Sequence, residues 1–264
     1  MSRPFPGFVH TVRAAAGLTV LRLRRGRSVW FAVAIAGLLL AAALAIRLST
    51  SVTPAALWGA MIDYPLRRVL VFLAPFLFCA TALSEEIEAR TATYLFSRPA
   101  SRAAILLGKW VAGAGIATAV VCGSVLVLYA ICWSSGEGAV PFVALERALA
   151  AFALGSVCYG AMFLCFGVML VDAPYLLCVL WVGIVELAVS FLPGVVRLIS
   201  MSTHLGNVLE HAPEPTSPVA SFFASWSPDV PAWASACTMA VVTLAFLLAG
   251  TSLASGSEVR YGKA

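Results

Sequence analysis

The sequence predicts an all-α, polytopic integral membrane protein, and three observations predict it. Apolar runs of about 18–24 residues recur along the whole chain, each long enough to cross a hydrocarbon core of about 30 Å. Hydrophobic residues fill 61% of the 264 positions and charged ones 11%, against about 45–50% and about 25% in soluble globular domains. Amide side chains are nearly missing, with Asn207 the one Asn and no Gln. A surface of that composition cannot hold a chain in water.

Taken in order, residues 5–27 read as an interfacial helix. At about 100° per residue, Phe8, Val9, Val12, Ala16, Val20 and Leu23 share one sector, and His10, Arg13, Arg22, Arg24 and Arg25 fall outside it. Such a helix lies in the headgroup layer with its arginines toward anionic lipid. A signal peptide cleaved near Ala43-Leu44-Ala45 would need a shorter basic region, and the chain goes on crossing the membrane afterwards. The first span is 29–46, followed by a polar stretch, 47–65. The second is 66–83, with Arg67 and Arg68 snorkelling at its start and Pro75 kinking its middle. A polar insert, 84–109, comes next. The third span is 110–133, its helix beginning earlier at Ser101 as N-cap. The fourth is 148–171, the fifth 174–192 and the sixth 232–254. Asp172 and Ala173 form a tight hairpin between four and five, with Asp172 a solvated turn residue. The outer loop 193–231 has a Pro-rich middle, and its first part, 195–209, suits a short helix dipping into the interface.

Six spans put both termini on one side. Twelve of the 17 basic residues lie on the side of the termini and the insert, and the positive-inside rule makes that side cytoplasmic. The expected location is therefore the inner (plasma) membrane, multi-pass. Small residues mark packing faces in such a bundle: Ala114, Thr118 and Cys122 on span three, Ser156 and Gly160 on span four.

Most chemistry is excluded. The net charge of +5 sits at membrane ends, with no basic stripe interleaved by aromatics, so nucleic acid is not expected. The seven cysteines show no CxxC spacing, which argues against a metal site or a disulfide framework; Cys132 and Cys237 share the outer face and could pair. Gly108-Lys109 is followed by Trp110 rather than Ser or Thr, so there is no Walker A loop, and no HExxH occurs. His204, Glu210, His211 and Glu214 form a loose outer cluster whose spacing fixes no ligand face. No cofactor is expected. Glu186 is the exception, a carboxyl near mid-span and by default a functional candidate. It reads either as a protonated carboxyl hydrogen-bonded to a neighbouring helix or, with Ser190 one turn on, as the lining of a substrate path.

The insert, SEEIEARTATYLFSRPASRAAILLGK, opens with Glu85, Glu86 and Glu88, breaks at Arg98-Pro99 and restarts at Ser101. That is a short helix, a turn and a new helix start, which suits a docking surface better than a solvated linker. Its pattern resembles the segment after the second span of type-2 ATP-binding-cassette (ABC-2) permease subunits: Glu-x-Glu, x-Gly-Thr, an apolar run, Ser-x-Pro-x-Ser-Arg, then Leu-Gly-Lys. Glu86 and Glu88 match the paired acids and Thr91 the Thr. Tyr94, Leu95 and Phe96 match the apolar run; Ser97, Pro99, Ser101 and Arg102 match the next block, and Leu107-Gly108-Lys109 the last. Arg90 departs from the family's Gly. Without a fused nucleotide-binding domain, the chain is similar to stand-alone permeases such as that of the nitrous-oxide-reductase maturation system.

The resemblance implies a permease subunit that pairs with a second permease subunit, identical or related, and with two copies of a separate ABC ATPase. The insert would be the coupling helix seated in the ATPase, gripped through Glu85, Glu86, Glu88, Arg90, Thr91, Arg98, Pro99, Ser101 and Arg102. ATP hydrolysis would belong to the partner, so the chain itself is not an enzyme; the direction expected is export. Two other classes stay open. One is a membrane scaffold that assembles proteins through the same insert. The other is an intramembrane enzyme acting on lipid, with Glu186 as acid or base.

Overall fold

A computed structural model describes residues 7–50, 52–80, 101–136, 138–170, 173–189, 194–210 and 230–256, and every regular element among them is helical. Four helices are long and apolar enough to cross a membrane: α2 (Arg27–Ser49), α4 (Arg102–Ile131), α5 (Phe142–Met169) and α8 (Ala232–Gly256). Their burial sets the layout. In its most apolar stretch α5 is 72% buried, while α2 and α8 are 17% and 22% buried. So α5 is the centre post and the other two present most of their surface outward, as lipid-facing helices do. The centre is aromatic: the Tyr159 ring stands edge-on to Phe72 at 4.6 Å and stacks on Phe163 at 5.8 Å.

The first helix, α1 (Phe8–Arg25), ends at Gly26, whose N–H bonds back to the Arg22 and Leu23 carbonyls. Arg22, Arg24 and Arg25 occupy its last turn, where cations suit the helix dipole. Gly26 is extended and α2 starts on the next residue. The apolar stripe expected to face lipid is largely used otherwise. Val12, Ala16, Val20 and Leu23 are half-buried and Ala15 with them, whereas Phe8, Val9, Leu18 and Leu21 are exposed. The reason is Gly108 of α4: a Cβ there would stand 2.5 Å from the Val12 carbonyl and 2.7 Å from Ala15 Cβ. Only a bare glycine lets α1 lie that close against α4.

The third helix begins earlier than its hydropathy suggests. Pro54–Met61 is α-helical, Ile62–Leu70 is π-wound, and Val71–Cys79 is α-helical again; together they form α3. Residues 54–65, part of the polar stretch read from sequence between the first two spans, are therefore helix. Thr53 caps the start by accepting from the Ala56 N–H at 3.4 Å, and Pro54 takes the first-turn position, where its missing N–H would have had no partner anyway. Pro65 falls in the π-wound part and Pro75 in the last part. As expected, α4 starts from Ser101, whose Oγ accepts from the Ala104 N–H at 3.4 Å. The sixth helix, α6, is α-wound over Pro174–Trp181 and π-wound over Val182–Ala188. These match the expected 174–192 as far as 189; residues 190–193 lie outside the described residues. A 3₁₀ turn, Gly194–Ile199, leads to α7, Met201–Leu209.

Three glycine contacts tie the bundle together beside the insert. A Cβ on Gly167 of α5 would be driven into the Ala80 carbonyl at the end of α3. One on Gly113 of α4 would meet Cys79 Sγ at 2.7 Å and the Phe78 carbonyl at 3.0 Å. Gly160 meets Ala114 at 3.2 Å, the α4–α5 face that the small residues marked. On the far side of the insert, Arg102 Nη1 donates to the Ala254 carbonyl at 3.4 Å, holding the C-terminal end of α8, and Lys109 is 5% exposed.

Candidate functional site

Most of the described polar side chains that are buried gather around α7. Its nine residues carry Ser202, Thr203 and His204, all buried along with the preceding Ser200. Such a helix needs partners at depth, because a buried polar group without one is destabilising by about 1–3 kcal/mol. Ser200 and His204 find them on α6, on the 3₁₀ turn and on α8.

The N-terminus of α7 is capped from a distance. Ser200 sits at the N-cap position but makes no cap bond of its own; Glu186 of α6 supplies the acceptor instead. Its Oε1 accepts from the Met201 N–H at 3.1 Å and from the Trp181 indole N–H at 3.4 Å. Its Oε2 accepts from the Ser202 N–H at 3.0 Å and the Ser200 hydroxyl at 2.5 Å. Four donors meet the roughly four acceptor sites that a carboxylate offers. The residue is 2% exposed. An acidic group at a helix N-terminus also faces the positive end of the dipole. The chemistry of this arrangement is anchorage: Glu186 fastens α7 to α6.

Further along α7, His204 Nε2 lies 2.9 Å from the Leu198 carbonyl and its Nδ1 lies 3.2 Å from Ser235 Oγ on α8. Asn207 donates to the same hydroxyl at 3.1 Å. On another side Arg67 reaches in from α3, paired with Asp63 at 3.2 Å, both residues 7% exposed. Gly206 makes room for it, since a Cβ there would overlap Arg67 Nη1. The helix ends on Glu210, in the left-handed region at φ 49°, a conformation that Gly and Asn adopt more readily. Glu210 is ion-paired with Arg147 of α5. Two hydroxyls of α5, on Ser156 and Tyr159, are buried with no hydrogen-bond partner among the described residues.

The expected site residues divide. Ser101 and Arg102 are the N-cap of α4 and the tie to α8 described above; Glu85, Glu86, Glu88, Arg90, Thr91, Arg98 and Pro99 lie outside the described residues, as do Ser190 and Asp172. Glu186 is bonded to the neighbouring helix. The loose outer cluster is not assembled from its described members: His204 is turned into the bundle and Glu210 toward Arg147. Cys132 and Cys237 are both free, the first buried and the second exposed, so the pairing considered from sequence is not formed. Sequence reading missed Ser200, Asn207, Ser235 and the Asp63–Arg67 pair. The signal for the pair was present, since Asp and Arg four residues apart share a helix face.

No family model matches the chain, and no curated protein does.

Proposed function

We propose that this chain is the membrane-spanning permease subunit of an ABC-2 type transporter, moving its substrate outward with energy from a separate ATPase. The single observation that carries the reading is the pattern of the insert together with where it is rooted. Its entry, at Ala80, is pressed against Gly167 of α5, and its exit, at Ser101 and Arg102, caps α4 and holds the end of α8. A push on the insert would therefore reach α3, α4, α5 and α8 together, and α1 through Gly108. In this reading α2, α3, α4, α5, α6 and α8 are the six crossings, α1 is the interfacial elbow, and both termini are cytoplasmic in the inner membrane. Two copies, or one copy with a related subunit, recruit two ATPase subunits through Glu85, Glu86, Glu88 and the arginines that follow, charges that complement a partner surface. Ser190 is the candidate for the path, while Glu186 anchors α7.

Co-expression with a separate ABC ATPase, one encoded beside this chain if there is one, tests this. The complex is expected to co-purify and hydrolyse ATP, and the Glu86→Ala/Glu88→Ala double variant to lose coupled turnover by about tenfold, the equivalent of about 1.4 kcal/mol. A permease that never retains an ATPase overturns the reading. So does a scaffold's behaviour, in which the double variant breaks assembly but the wild-type complex has no transport-linked ATPase. Single cysteines at positions 86 to 98 are expected to react with a membrane-impermeant maleimide only after the cytoplasmic side is opened. Labelling from the outer face of sealed cells would reverse the orientation.

A further inference from the structure

Tyr159 is the residue that the transporter reading leaves without a role. Its ring fills the centre of the bundle, packed on Phe72 and Phe163. The side chain is fully buried, yet its hydroxyl has no hydrogen-bond partner among the described residues. Phenylalanine would fill the same space without stranding a polar group, which is destabilising when buried. The hydroxyl nevertheless stands beside charge: Glu186 of α6 and Arg67 of α3 are the charged groups that act on it.

It is idle because of α7. The Glu186 carboxylate already takes four donors: the Met201 and Ser202 N–H groups, the Ser200 hydroxyl and the Trp181 indole. These fill the roughly four acceptor sites of a carboxylate. Arg67 is paired with Asp63 and covered by Gly206 of the same helix. Withdrawing α7 with Ser200 would strip three of the four donors from Glu186 at once. A buried carboxylate left that way is strongly destabilising unless another donor stands next to it. Tyr159 is that donor, already in place.

The ends of α7 suit a helix that moves as a unit. A short 3₁₀ turn leads into it, and Glu210 closes it in the left-handed region at φ 49°, a strained conformation for a residue with a side chain. Its ion pair to Arg147 is half exposed, and water weakens such pairs. Its tie to α8 runs through the single hydroxyl of Ser235.

We propose that α7 is a two-state plug: seated, it is anchored by Glu186, and unseated, it leaves Glu186 to be received by the Tyr159 hydroxyl. The carboxylate thus has a partner set in each state, which is what makes an element bistable. The switch stands on the contacts of α7 and does not need the transporter reading. Its role as a gate at the end of the bundle away from the insert does rest on that reading.

The test is hydrogen–deuterium exchange of the full chain in detergent, with no ATPase present, followed on peptides covering 201–209. Tyr159→Phe removes a hydroxyl that is idle when α7 is seated and bonded when it is not. Exchange across 201–209 is therefore expected to slow by about tenfold, the equivalent of about 1.4 kcal/mol, with the melting temperature unchanged or raised. Unchanged or faster exchange overturns the proposal. So does a lower melting temperature, which would mean that the hydroxyl is already bonded in the seated state. A second variant, Asn207→Cys/Ser235→Cys, spans α7 and α8 where the Asn207 amide lies 3.1 Å from the Ser235 hydroxyl. Oxidation is expected to slow exchange across 201–209 and reduction to restore it. Equal exchange in both forms would show that α7 does not leave its seat, and would also overturn the proposal. If the two cysteines do not crosslink, Tyr159→Phe decides alone.

Discussion

Glu186→Ala is expected to lower the melting temperature of the purified protein by roughly 10 °C. The carboxyl supplies the acceptor for two backbone N–H groups of α7, the Ser200 hydroxyl and the Trp181 indole. Truncation removes all four bonds and leaves donors buried, with Ser200 at 0% exposure. Breaking one side of a buried charged arrangement is destabilising by about 3–5 kcal/mol, and about 1 kcal/mol shifts the midpoint of a chain this size by about 2–4 °C. Glu186→Gln keeps the shape but turns an N–H₂ toward groups that themselves donate, so it falls between wild type and alanine. Ser200→Ala removes one partner and is expected to lose about 1 kcal/mol. Glu146 on the exposed start of α5 is the control, and its alanine variant should stay within about 0.5 kcal/mol. Differential scanning fluorimetry in one detergent compares all four. A Glu186→Ala protein that melts with the wild type would mean that α7 is held by something other than this carboxyl.

That anchorage also marks where the sequence stops being readable. Composition and run length were enough for a helical membrane bundle, and Ser101 announced the start of α4 by type and position alone. The early start of α3 was written in Thr53-Pro54, a cap followed by a first-turn proline, yet Ser49, Thr50, Ser51 and Asp63 made the surrounding stretch look like loop. Glu186 advertised itself as costly in an apolar helix, but its partners come from a helix terminus 15 residues on, which no local pattern reveals. His204 is harder still: its ring is held by Ser235, 31 residues away. The cysteines make the same point, since Cys132 and Cys237 differ in burial rather than in anything local.

Glycines bring out the difference between residue type and place, and they carry the second large effect. Gly113 and Gly115 sit two apart on α4, yet a Cβ on Gly115 would meet nothing within 4 Å while one on Gly113 would press on Cys79 and Phe78. Gly167 is the extreme case, because the obstacle is the backbone carbonyl of Ala80, which cannot rotate away. Gly167→Ala must push the end of α3 off α5, and overpacking of this kind is destabilising by about 1–3 kcal/mol and sometimes more. With backbone as the obstacle, about 3 kcal/mol or more is expected, seen as a fall in melting temperature of roughly 6–12 °C. Gly115→Ala should leave it unchanged or slightly raised, since alanine favours helix by up to about 1 kcal/mol. Because Ala80 is the last described residue before the insert, Gly167→Ala has a second expected consequence if the insert is the lever proposed above. ATPase coupling should fall even at temperatures where the variant remains folded, whereas Glu186→Ala, at the other end of the bundle, should change stability while leaving ATPase binding intact. Equal melting of Gly167→Ala and Gly115→Ala would show that α3 and α5 do not meet at Ala80, and the rooting of the insert would go with it.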